Sequence, residues 1–175
     1  MSNTGPLVTG LFPDRNSAEA AYTAAEARGY TAGEMNLAMS DNTRKSHFSG
    51  TSAGKETELG NKAAEGAGIG GAIGGTIGAI AAAVAAVGTS IALPGLGLVI
   101  AGPMAAAIAG AGAGAASGGL IGALFGWNMP EERVKEYEKG MKKGGILMGV
   151  RTRDDADAEH LENAWTSNRG QHVYR

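Results

Sequence analysis

From Gly66 to Pro130 the chain runs 65 residues without one Asp, Glu, Lys, Arg or His, and small residues recur inside that stretch at every fourth position. Gly66, Gly70, Gly74 and Gly78 form a first series, continued by Ala82 and Ala86. Gly102, Ala106, Gly110, Gly114, Gly118, Gly122 and Gly126 form a second. Residues four apart stack on one face of a helix, so a row of hydrogens and methyls there makes a flat groove that another backbone can approach closely. Such contact is rich in dispersion and Cα–H interactions and drives helix association where the hydrophobic effect is weak. Each interior glycine costs roughly 1 kcal/mol of helix propensity against alanine, so a long zipper of this kind persists only when packed. A flexible linker is the competing reading. Linkers are polar and carry no register, whereas Ile69, Ile73, Ile77, Ile80, Val84 and Val87 keep a helical spacing beside the glycines.

Whole-chain averages conceal this segment. The net charge of −2 and a mean hydropathy of −0.07 match an ordinary soluble chain, because every charged residue lies in the two flanks. The absence of cysteine excludes disulfides and thiolate metal sites. No basic excess provides the electrostatic footprint of a nucleic-acid binder. Met1 to Pro6 shows neither a basic region nor an apolar core, so no signal peptide is visible and a cytoplasmic location is expected.

The flanks carry a pattern of their own. Leu7 to Phe12 (LVTGLF) reads as a short buried strand, Pro13 to Ser17 as turn and cap, with Asn16 and Glu19 at capping-box spacing, and a helix follows to about Arg28, stopped by Gly29. A second strand is centred on Met35 to Met39. Near the other end, Ile146 to Thr152 reads as a strand, Asp154 to Asp157 start a helix that Arg169 and Gly170 end, and His172 to Tyr174 make a last strand. The halves match: Gly10 corresponds to Gly149, and Arg28-Gly29 to Arg169-Gly170.

Two β-α-β halves predict an α+β fold: a ferredoxin-like four-stranded antiparallel sheet with two helices on one face, interrupted by a long Gly/Ala-rich antiparallel helical hairpin. The expected organisation is a first half over 1–39, a polar linker over 40–62, the glycine-zipper hairpin over 63–129, and a helix plus the second half over 130–175. Gly88 to Pro103, with Pro94, Gly95, Gly97 and Gly102, supplies the break between arms 66–88 and 103–127, each about 35 Å long as a helix. Glu131 to Lys143 reads as a short amphipathic helix leading back to the sheet.

LVTGLF, the helix with Ala18, Ala20, Ala21 and Ala25, the exit Arg28-Gly29-Tyr30, and the runs Tyr137-Glu138-Lys139-Gly140 and Lys143-Gly144-Gly145-Ile146-Leu147-Met148-Gly149-Val150 resemble the bacterial general stress or low-temperature-induced proteins. The resemblance spans most of the chain. It implies a stress-associated cytoplasmic or membrane-associated protein and brings no catalytic residues with it.

Arms of this length match a hydrocarbon core of about 30 Å. The connection TSIALPGLGLVIAG is itself apolar and must be buried, and Phe125 and Trp127 are candidates for a lipid interface at the hairpin base. Against insertion, the first arm holds six large aliphatics in 23 residues, and the charges flanking the base sum to −1 on each side. Gly71, Gly75, Ala79 and Ala83, and likewise Ala107, Ala111, Ala115, Gly119 and Ala123, add small rows beyond those one partner arm needs. The surplus predicts a homo-oligomer whose candidate packing residues are Gly66, Gly70, Gly74, Gly78, Gly110, Gly114, Gly118, Gly122 and Gly126.

Chemistry finds little footing. Gly66, Gly68 and Gly71 spell G-x-G-x-x-G with no strand before them, and Gly50 to Glu56 is one residue short of a phosphate loop. His47, His160 and His172 lack metal-ligand spacing. Asp154, Asp155 and Asp157 suit a helix start, where negative charge is favoured. The expectation is a non-enzymatic, self-assembling structural protein with no catalytic residue, metal or cofactor, whose partner is itself. A membrane-inserted or pore-like oligomer at the inner face of the cell membrane is the alternative, and a small-ligand regulatory module the second alternative.

Overall fold

The runs LVTGLF, MNLAMS and ILMGVR are apolar on both alternating faces, the pattern of strands covered on two sides. In the computed structural model, which describes residues 4–48, 80, 90–93, 97–103, 105 and 129–175, they are β1 (Leu7–Phe12), β2 (Met35–Ser40) and β5 (Ile146–Arg151). With β3 (Ser90–Leu93), β4 (Leu98–Ala101) and β6 (Gln171–Tyr174) they build one six-stranded sheet in the order β3-β4-β2-β5-β1-β6, antiparallel throughout. β5 sits at the centre, with Val8 opposite Val150 on one side and Leu37 opposite Met148 on the other.

Among the described residues, the helices with defined bounds are α1 (Arg15–Ala27), α2 (Asp41–Phe48), α3 (Glu131–Lys142) and α4 (Asp155–Ser167). On the first face Val8, Phe12, Met39, Met148 and Val150 form one core with Ala18, Tyr22 and Ala25 of α1 and Leu161 and Trp165 of α4. Trp165 is fully buried, meets Phe12 edge-to-face at 5.6 Å, and donates its indole N–H to the Ala21 carbonyl at 3.0 Å. Truncating such a ring costs roughly 3–5 kcal/mol. On the second face Leu11, Ala38, Leu98, Ile100 and Leu147 form a separate core with Val134, Tyr137 and Met141 of α3.

The expected four-stranded sheet with helices on one face is therefore corrected twice. All four expected strands are present, but the apolar run read as the break between the two arms contains β3 and β4. It extends the sheet from β2, with Ala38 opposite Ile100 and Ile91 opposite Ile100. Its apolarity is explained by burial: Leu98, Val99, Ile100 and Ala101 are all buried. The amphipathic helix at 131–142 does more than lead back to the sheet, since it covers the second face. Gly140 lets α3 settle there, because a Cβ at that position would collide with Leu11 Cδ2.

The linker expected from residue 40 also gives way, over 41–48, to α2. The Ser40 hydroxyl accepts the Thr43 N–H at 3.0 Å, Asp41 pairs with Arg44 and Lys45, and Thr43 and Phe48 are buried.

Helix ends refine the expected repeat. Asp14, in place of the Asn16–Glu19 pair, caps α1 by accepting from Ser17 N at 2.9 Å, and that hydrogen bond holds its carboxyl below the usual range. Asp154 caps α4 in the same way, accepting from Asp157 N at 2.8 Å. α1 and α3 each close with a left-handed glycine, Gly29 (φ 82) and Gly144 (φ 99), followed by a residue whose N–H returns to the helix: Tyr30 to Ala25 and Gly145 to Gly140. α4 closes identically, with Arg169 N to Thr166 O and Gly170 N to Trp165 O, but its left-handed residue is Arg169 at φ 66. Gly29 thus corresponds to Arg169, one position off the pairing read from the sequence. Gly10 and Gly149 do not correspond either. Gly10 faces Trp165 on the first face, where a Cβ would sit 3.2 Å from the ring, while Gly149 follows Met148 and so lies on the second.

Candidate functional site

The residues expected to drive assembly (Gly66, Gly70, Gly74, Gly78, Gly110, Gly114, Gly118, Gly122 and Gly126), and Phe125 and Trp127, lie outside the described residues. So do the G-x-G-x-x-G and phosphate-loop-like letters. The structure does show where the uncharged segment is tied to the sheet. Ile80 is helical, fully buried, and part of the first-face core with Phe48 and Tyr22. Its N–H donates to Glu19 Oε2 at 3.1 Å. Glu19 Oε1 is buried without a hydrogen bond, with Arg15 Nε 3.5 Å away. Arg15 in turn donates to the His47 carbonyl at 2.7 Å and lies over the Phe48 ring. The start of α1 and the end of α2 thereby make one anchor for the first part of the segment.

The second part is tied elsewhere. Ala105 and Met129 are both buried in the second-face core beside Ile100 and Val134. Gly102, at φ 100, turns the chain out of β4 so close to β2 that a Cβ would overlap Met35 O. Among its described residues the segment meets the sheet at Ile80 on the first face, through β3 and β4 in the middle, and at Ala105 and Met129 on the second.

Two polar clusters stand out among the described residues. At one edge, β6 pairs with β1 only at Thr9–Tyr174 and Leu11–Gln171, with an irregularity between, where His172 takes φ 49. Side chains of α3 make up the deficit. Thr9 Oγ1 lies 2.8 Å from Tyr137 Oη, which donates to the His172 carbonyl at 2.8 Å. Glu136 Oε2 is 3.3 Å from His172 Nδ1 and 3.4 Å from Tyr174 Oη, and the Arg133 guanidinium lies 3.9 Å over the Tyr174 ring. Burial above all pushes the Tyr137 phenol far above its ordinary range, and burial does the same at Tyr22, aided by Glu26 and Glu19. The Tyr137 phenol stays protonated and acts as a hydrogen-bonding anchor between Thr9 and His172.

The other cluster joins the two halves. Asp157 receives Arg28 Nη2 and Tyr30 Oη, each at 2.8 Å, while Arg153 donates to the Arg28 and Gly29 carbonyls and lies 4.3 Å over the Tyr30 ring. Beside it, Thr4, Gly5, Pro6, Arg153, Asp154 and Asp155 line a shallow cleft of about 470 Å³. Asp154 is occupied as a cap and Arg153 as a staple, so two of the cleft's three charged groups already serve the fold. Asp157 accordingly has a larger part than the helix-start role read from the sequence. His160 is exposed on α4, and His47 belongs to α2.

Among the described residues no group of three or more His, Asp or Glu is placed to hold a metal ion, and no helix is long and apolar enough to cross a membrane. Comparison with protein-family models, curated proteins and solved structures finds no match for this chain.

Proposed function

We propose that this chain is a non-enzymatic, stress-associated structural protein of the cytoplasm that self-assembles through its glycine-zipper segments, displayed by a rigid sheet. The supporting observation is the attachment of the uncharged segment to opposite faces: Ile80 in the core with α1, Ala105 and Met129 in the core with α3. The sheet lies between these two anchors, and in this reading each small-residue series finds its complement in another copy. The order β2-β5-β1-β6, with α1 and α4 on one face, supports reading the centre as ferredoxin-like, widened at one edge by β3 and β4.

Self-assembly is preferred to a membrane-inserted, pore-like oligomer. The apolar run read as the hairpin tip needed burial, in lipid or in an assembly, and its residues Leu98 to Ala101 are buried in the sheet. The test is native mass by light scattering. Gly74→Leu and Gly114→Leu should each reduce the parent assembly to a 17.5 kDa monomer, with circular dichroism unchanged, while Ser52→Leu leaves it intact. Leucine variants that keep the parent's native mass would refute the zipper.

A further inference from the structure

We draw no further inference here: the strongest candidate, the outer edge of β3, an uncharged strand that ends the sheet among the described residues, carries nothing because nothing in the structure shows what covers it.

Discussion

Replacing Arg169 by glycine should stabilise the protein, although it removes an ion pair. A non-glycine residue held in the left-handed region carries roughly 1–2 kcal/mol of steric strain, chiefly between Cβ and the carbonyl oxygen. Glycine gives back about 0.4–1 kcal/mol of that through the greater freedom of the unfolded chain. The Arg169–Asp14 pair is 3.0 Å long, but its side chains are 70% and 39% exposed, a setting in which ion pairs contribute between about 0 and 1 kcal/mol. The net expectation for Arg169→Gly is a gain of about 0.3 kcal/mol, or on the order of 1 °C in Tm for a chain this size. Arg169→Ala removes the same ion pair and keeps the Cβ, so the Gly-minus-Ala difference isolates the backbone. It should be about 0.5–1 kcal/mol in favour of glycine. Gly29→Ala, at the equivalent site of α1, should move the other way by a similar amount. A Cβ there has space, its nearest neighbour being Arg153 Nη2 at 3.6 Å, so the loss is conformational. Urea unfolding followed by circular dichroism reads all four proteins. If glycine at 169 is no more stable than alanine, the left-handed closure of α4 is wrong.

Two further substitutions probe the anchors. Ile80→Ala removes a fully buried side chain from the first-face core and should cost about 2–4 kcal/mol; a loss below 0.5 kcal/mol in urea unfolding, roughly what a surface change produces, would mean that Ile80 is not docked there. Tyr137→Phe leaves Thr9 Oγ1 and the His172 carbonyl without their shared partner and should cost about 1–2 kcal/mol. Hydrogen exchange should quicken at β6 before it does at β5, and uniform loss across the sheet would count against a local role.

The elements legible in the sequence are those marked by a continuous apolar run or by residues that start and stop a helix. β1, β2 and β5 are apolar on both faces, α1 and α4 end near glycine, and α4 opens on Asp154 and Asp155. Others lacked such a mark. α2 buries only Thr43 and Phe48 and is held by its Ser40 cap and the Asp41 pairs, so it resembles polar linker. β3 and β4 are four residues each inside a Gly/Pro-rich stretch, where punctuation outweighs a short apolar run. The stripe Val134, Tyr137 and Met141 marked α3 as amphipathic but could not say which face of the sheet it covers. One signal was available: a tyrosine on an apolar stripe needs a polar partner, and Thr9, the polar residue inside LVTGLF, supplies it. At the close of α4, the sequence pairs Gly170 with Gly29, and glycine is the residue that adopts the left-handed region without strain. Arg169 takes it because Gly170 is needed one step later, where a Cβ would lie 2.6 Å from Trp165 O.

The central claim, that the uncharged segments join copies of this chain, is tested most directly by the native mass of the intact protein, purified separately from soluble and membrane fractions and weighed by light scattering with and without detergent. The account predicts a defined multiple of 17.5 kDa in the soluble fraction, unchanged by detergent below its denaturing range. A monodisperse 17.5 kDa species, or a multimer recovered only from membranes with detergent, would contradict it.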